Sequence, residues 1–208
     1  MISVKKIFEE RKTEIEIYFN FLEKYSPLKA DEELFKILKS NLLIMLYNLI
    51  ESSISNAIEE IHNNIHSNNV SFDSLKENLK SIIITNTKRV NPNDLVSKIS
   101  NIATDIVKYT FKKDELFRGN VDAKKIRELA DCYGFDSDTD YTKTKHGSHL
   151  VTIKGKRNDL AHGVYSFAEV GRAYPIEDLR DMKDTTISYI FEILGNIENF
   201  LINKGYCV

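Results

Sequence analysis

The sequence predicts an all-α fold, a bundle of up-and-down helices, from three observations. Apolar residues recur every three or four positions over most of the 208 residues, which is the spacing of a helix with one buried face. The 3 prolines and 8 glycines are too few for many short strands and turns. A chain with 42% hydrophobic and 29% charged residues can bury a core of its own, without disulfides or metals.

The first two helices have the clearest apolar pattern. The first is predicted over about Ser3–Tyr25. The second begins after Asp31, a residue type that caps helix N-termini well, and continues through Ile61. Because its middle block, 42–50, is apolar on nearly every side, we expect this block at the centre of the bundle.

Residues 63–118 are predicted to be a helical insertion or variable arm on a single domain of 1–208. The arm begins with a polar run and contains a short helix around Leu75. Its segment 81–85 is β-like but has no evident partner strand, so strand and helix both stay open. A further helix is predicted from Asn91 to Tyr109, with proline in its first turn.

The last part of the chain predicts four more helical segments. One is capped by Asn120 or Asp122 and stops at Gly134, and another covers 148–162 and stops at Gly163. Ser166 and Glu169 have capping-box spacing, which indicates a single helical turn. The long C-terminal helix is predicted from near Pro175 to Lys204.

Charge and cysteine content limit the class of protein. A net charge of -2 gives no general attraction to nucleic acid, so any polyanion site must be a local patch. Two cysteines do not form a disulfide framework, and we expect a cytoplasmic protein. The N-terminus has no secretion signal, and the apolar runs are too short for a membrane span. We therefore expect no membrane partner.

The segment 154–163 contains the residues that are best suited to catalysis. Histidine exchanges protons near neutral pH, arginine binds phosphate oxygens with a planar fork, and asparagine orients either group. On one helix Asn158 and His162 share a face, whereas Arg157 lies about 140° round from His162. The three side chains therefore cannot readily point toward one substrate from a single straight helix. Either the Arg157 side chain and the last turn adjust, or a second copy completes the site across a two-fold axis.

A basic stretch leads into this segment. Between Thr142 and Arg157 there are four lysines and no acidic residue. These lysines are the candidate RNA-binding residues: Lys143, Lys145, Lys154 and Lys156. The residues alone also fit an ordinary surface, in which His162 is a helix-end histidine stabilised by the helix dipole and the lysines are solvated.

The sequence resembles the HEPN superfamily, whose signature is an arginine, four to six residues and a histidine. The matching residues are Arg157-Asn158-Asp159-Leu160-Ala161-His162, with the polar residue after the arginine that nuclease members favour. The segments 119–127, 133–135 and 166–172 look like a bacterial branch of the same superfamily. The resemblance by motif covers roughly the last 90 residues of the chain.

The resemblance implies a HEPN-like bundle that forms a homodimer and brings two such motifs into one cleft. It also implies a metal-independent endoribonuclease that acts as a toxin or phage-defence effector and needs no cofactor. His162 would transfer protons, Arg157 would stabilise charge on the phosphate, and Asn158 would position the reacting group. RNA and an antitoxin or nucleotidyltransferase-like protein are the implied partners. A non-catalytic module that binds a nucleotide or a protein is the alternative.

A second histidine pair, His62 and His66, has the spacing of two metal ligands on one helix face. No glutamate-rich or cysteine-containing segment accompanies it, and the glutamate of the zinc-protease motif is missing between the two histidines, so we expect a solvated helix end.

Overall fold

The computed structural model describes residues 1–25, 31–88, 91, 93, 106 and 119–208. Within these ranges the only extended pairing is an isolated antiparallel bridge between Leu75 and Cys207, and the rest of the regular structure is helical. The all-α prediction is confirmed. Most of the helix predicted from Asn91 to Tyr109 lies outside the described residues.

The helices vary widely in length. In chain order they are α1 Ile2–Lys24, α2 Glu32–Ser67, α3 Glu77–Thr87, α4 Ala123–Tyr133, α5 Tyr141–Thr144, α6 His149–Ala161, α7 Phe167–Arg172 and α8 Ile176–Ile202. Short 3-10 turns at Phe72–Ser74 and Lys145–Gly147 precede α3 and α6. In the described part of the chain, none of these helices has the length and apolar character needed to cross a membrane.

The centre of the bundle is α2. Its apolar middle is fully buried, as the sequence predicts, at Leu42, Leu43, Leu46, Leu49 and Ile50. Four helices pack against it: α1, α6, α7 and α8. Because α2 contacts α6 directly, side chains from its middle reach the segment that carries Arg157.

The start of the predicted arm is part of the core. Leu75, Leu79 and Ile83 are buried, and α3 packs against α4. The segment 81–85, undecided from sequence, lies within α3 and is helical. The C-terminus is tied to this region, since the Lys76 N–H donates to the Tyr206 carbonyl over 3.0 Å. The division of the chain into one domain with an arm stays a prediction.

Close backbone packing fixes the segment after α6. Ser166 and Glu169 form the predicted capping box at the start of α7. A Cβ atom on Gly171 would lie 1.8 Å from the carbonyl oxygen of Lys36 in α2, so only glycine allows this approach. Lys39 adds a hydrogen bond to the Tyr174 carbonyl over 2.6 Å. The C-terminal end of α7 is therefore held against α2.

Candidate active site

Arg157 lies on the face of α6 that packs into the bundle. It shares this face with Leu150, Ile153 and Leu160, all of them buried. The Arg157 guanidinium carbon lies 4.6 Å from the centroid of the Tyr47 ring on α2. This is a cation–π contact with a fully buried aromatic ring, and it holds a half-buried cation in one orientation.

Two further contacts restrict the Arg157 side chain. Its Nη1 donates to Asn158 Oδ1 over 3.0 Å. The backbone at Gly119 lies against another side of the guanidinium. A Cβ atom at this position would be only 2.7 Å from Arg157 Nη1. Gly119 has φ +73°, and its N–H donates to Glu51 Oε1 over 3.0 Å. A side chain at position 119 would therefore crowd the guanidinium.

These contacts bear on the problem of the 140° separation. The Arg157 side chain bends toward Asn158, and Asn158 is one helical turn before His162, on the same face. Asn158 therefore has a side-chain contact with the guanidinium and shares a helix face with the histidine. Arg157 is on the inner side of α6, and His162 is on the outer side.

His162 is the residue after the last turn of α6, and its side chain is exposed. Its backbone N–H donates to the Asn158 carbonyl over 3.0 Å, and Gly163 turns the chain away with φ +66°. The imidazole forms no hydrogen bond or ion pair with the described residues. It is accessible from outside the protein, as a proton-transfer group must be.

His162 belongs to an outer face of α6 with few contacts to the rest of the chain. Val151, Gly155, Asn158 and His162 follow one another at helical spacing on this face. Val151 is 58% exposed, and Val164, just beyond the helix, is 62% exposed. A Cβ atom on Gly155 would meet nothing within 4 Å. No contact in the described structure explains a glycine here, although glycine costs a helix about 1 kcal/mol relative to alanine.

The four candidate RNA-binding lysines all have acidic partners. Lys143 lies 3.2 Å from Asp140, and Lys156 lies 2.9 Å from Asp159. Lys145 pairs with Asp181, and Lys154 pairs with the buried capping residue Asp122. A stretch without acids in sequence is thus largely neutralised, by Asp140 and Asp159 at its flanks and by Asp122 and Asp181 from other segments.

The lysines also lie at different places along α6. Lys143 and Lys145 precede the N-terminal end of the helix, whereas Arg157 and His162 are at the C-terminal end, about 18 Å away at 1.5 Å per residue. Lys156 is near the candidate site, with its Nζ 5.2 Å from the Tyr165 ring centroid. The hydrogen bond to Asp159 raises the pKa of Lys156, so this side chain stays cationic. A role for the lysines in RNA binding stays a prediction.

The sequence did not point to Tyr47, Glu51 or Gly119 as parts of the site. Tyr47 is buried in the core, and its ring also supports Arg157. One signal was present in the sequence: Tyr47 and Glu51 add a hydroxyl and a carboxylate, one turn apart, to the otherwise apolar middle of α2.

The expectation for His62 is wrong. His62 is 5% exposed, and its Nε2 lies 2.9 Å from the hydroxyl of the buried Tyr133. Burial lowers the pKa of His62 to about 4, so the imidazole is neutral at physiological pH. This histidine is a core residue in the described structure, because α2 continues to Ser67 and α4 covers its side.

Comparison with known protein families agrees with the helical bundle. A family model described as HEPN_MAE_28990-like HEPN matches residues 3–206, which is nearly the whole chain. A search of curated proteins and a search of solved structures gave no significant match. On the extent of the family match, the chain belongs to the HEPN_MAE_28990-like HEPN family.

Proposed function

We propose that this protein is a homodimeric, metal-independent endoribonuclease that acts as a toxin or phage-defence effector. The observation that carries the proposal is the arrangement at the end of α6. A guanidinium held by Tyr47 and Asn158 lies on the inner side, and an unpartnered, exposed histidine lies on the outer side. Membership of the HEPN superfamily, in which ribonucleases are common, agrees with this proposal.

The proposed reaction is attack of an RNA 2′-hydroxyl on the adjacent phosphorus. His162 accepts the hydroxyl proton as the new P–O2′ bond forms. The P–O5′ bond then breaks, and a proton must reach the leaving 5′-oxygen. The products are a 2′,3′-cyclic phosphate and a 5′-hydroxyl. Arg157 donates hydrogen bonds to the phosphate as its negative charge grows, and Asn158 keeps the guanidinium in place.

A dimer would supply what one chain lacks. In one chain the guanidinium lies on the inner side of α6 and His162 on the outer side, whereas two copies facing one cleft can place the His162 of one beside the Arg157 of the other. This His162 then returns the proton that it accepted to the 5′-oxygen. The outer face of α6 suits such a contact, since it is partly apolar and its Gly155 allows two helices to approach closely. We therefore propose that α6 meets its own copy across a two-fold axis near Gly155.

Cleavage of RNA by the purified protein in the presence of EDTA tests this function. We expect the wild-type protein to produce 2′,3′-cyclic phosphate ends and His162→Ala to lose at least about a hundredfold in rate, the usual contribution of a general base. His149→Ala is the matched control, because His149 is on the same helix but pairs with Asp181 at its other end. Equal cleavage by the His162→Ala protein would remove His162 from the mechanism.

The biological role has its own test. Expression of the wild-type chain in a bacterial host is expected to stop growth, and Arg157→Ala is expected to restore it. Undiminished toxicity of Arg157→Ala would contradict a role for this site in toxicity. If the wild-type protein binds RNA and leaves it intact, the alternative holds, and the chain is a binding module.

A further inference from the structure

A polar cavity lies at the N-terminal end of α6, opposite the end that carries His162. Its volume is about 500 Å³. The lining residues are mainly hydrogen-bond donors: Arg127, Ser137, Thr139, His146, Ser148 and Tyr189. They come from α4, from the segment between α4 and α5, from the 3-10 turn and from α8, so the cavity is built by the tertiary fold.

Arg127 brings an available positive charge to this cavity. It is exposed on α4 and makes no ion pair with the acidic residues of the described chain. This distinguishes it from the lysines of the same region, each of which has a carboxylate partner. An unpaired guanidinium at the mouth of a polar cavity is a suitable partner for a phosphate group.

Tyr189 provides a buried donor without an acceptor. The residue is 1% exposed, and its hydroxyl has no hydrogen-bond partner of acceptable geometry. Burial raises the pKa of Tyr189, and the neighbouring Arg127 opposes that increase, so the guanidinium lies close to the hydroxyl. A guanidinium only donates, so the hydroxyl proton still lacks an acceptor. A buried donor in this state is rare in proteins, and a ligand oxygen would satisfy it.

A chain of hydrogen bonds orients His146 in the cavity wall. Thr144 Oγ1 donates to the Asp140 carbonyl over 2.7 Å, so it can only accept from Thr139 Oγ1, 3.0 Å away. The Thr139 oxygen must then accept from Nδ1–H of His146, over 3.2 Å. Nε2 makes no hydrogen bond to the described residues, and on protonation it becomes a further donor.

The helix end and the local charges complete the site. Ser148 is the N-cap of the 13-residue α6, and its side chain makes no capping bond. The first N–H groups of α6 and the Ser148 hydroxyl are donors at the positive end of the helix dipole. Asp138 and Lys145 also line the cavity, and Lys145 is paired with Asp181. Because Lys145 is committed to Asp181, the lining has one guanidinium, Arg127, and one exposed carboxylate, Asp138, and its other polar groups can donate hydrogen bonds.

We propose that this cavity binds a phosphate group, which is either the terminal phosphate of a nucleotide or a phosphodiester of a nucleic acid strand. Arg127, Ser148 and the N-terminus of α6 donate to its oxygens, and the Tyr189 hydroxyl gains its acceptor. The site is separate from the Arg157–His162 end of α6, and the proposal does not depend on ribonuclease activity.

Isothermal titration of the full chain with two probes tests this proposal and distinguishes the two sources of phosphate. One probe is adenosine 5′-monophosphate. The other is a ten-residue oligodeoxythymidine without terminal phosphates, which has no 2′-hydroxyl and so is not cut. Arg127→Gln is expected to weaken binding of at least one probe about tenfold, as expected for loss of one charge-assisted hydrogen bond.

Two further variants make the result specific. Lys124→Gln removes the same charge from the same helix, but its exposed side chain faces Glu128, so binding should stay within about twofold of wild type. Tyr189→Phe removes a hydroxyl whose proton has no acceptor among the described residues, so the fold should be kept while binding weakens. Binding of the nucleotide identifies a terminal phosphate, and binding of the oligonucleotide identifies a phosphodiester. Equal effects of Arg127→Gln and Lys124→Gln, or no binding of either probe, would overturn the proposal.

Discussion

Arg157 connects the packing of the bundle with the proposed chemistry. Its stem belongs to the buried face of α6, while its guanidinium is stacked on Tyr47 and bonded to Asn158. A cation held in this way loses little conformational freedom when phosphate binds. The motif could be predicted from the sequence because Arg157, Asn158 and His162 are neighbours. Tyr47 and Gly119 could not, because only the tertiary fold brings them there.

The support from Tyr47 leads to a prediction about positioning. Tyr47→Phe keeps the ring and should keep RNA cleavage near the wild-type rate. Tyr47→Leu removes the aromatic face and should lower kcat about tenfold or more through misplacement of Arg157, with a smaller effect on KM. Steady-state kinetics below the melting temperature of both variants measure this. If Phe and Leu reduce kcat equally, the ring does not position Arg157.

His62 leads to a prediction about stability and pH. Its pKa is about 4 in the folded protein, against 6.5 for an ordinary histidine. Between these values the unfolded chain binds a proton that the folded chain does not, so stability is complete above pH 6.5 and decreases as the pH falls toward 4. The loss should be about 3 kcal/mol. Urea unfolding at several pH values measures it, and His62→Gln should have a flatter profile; identical profiles would contradict this role.

At the scale of elements, α6 performs two tasks on two faces. Its inner face, with Leu150 and Ile153, attaches it to α2, and its outer face carries Gly155 and His162. The helix and its end at Gly163 follow from apolar spacing and turn chemistry, so the sequence predicts both. The ion pairs of its Lys154 and of Lys145, which precedes the helix, could not be predicted, because Asp122 and Asp181 belong to other segments.

A substitution at Gly155 can test the proposed dimer contact without disturbing the fold of the monomer. In Gly155→Gln the new side chain enters open space, so the monomer should be as stable as wild type, or more stable by up to about 1 kcal/mol. The same side chain should block the proposed contact between two α6 helices. Size-exclusion chromatography with light scattering should then give 24.0 kDa instead of twice that mass.

The matched control is Gly195→Gln in α8. Gly195 also has open space around its Cβ position, but it lies on a different helix. This variant should remain a dimer with full RNA cleavage. Should Gly195→Gln dissociate the dimer while Gly155→Gln does not, the interface lies on α8 and the proposed placement is wrong.

At the scale of the whole molecule, the helical bundle can be predicted from the apolar pattern of the sequence more directly than the candidate site can. Burial of the α2 middle and the caps of α4 and α7 are readable from neighbouring residues. The burial of His62 and the integration of α3 depend on contacts between distant segments. The proposed dimer also depends on contacts that neighbouring residues in the sequence do not show, since a second copy of the chain completes the proposed cleft.

Complementation between two inactive variants tests the central claim most directly. A heterodimer of Arg157→Gln and His162→Ala chains has one intact pair of site residues. The His162→Ala chain supplies Arg157, and the Arg157→Gln chain supplies His162. Each variant alone should be inactive, and the purified heterodimer should recover about half of the wild-type RNA cleavage, because one of two symmetric arrangements is intact. An inactive heterodimer, alongside an active wild-type protein, would contradict a site shared between two copies.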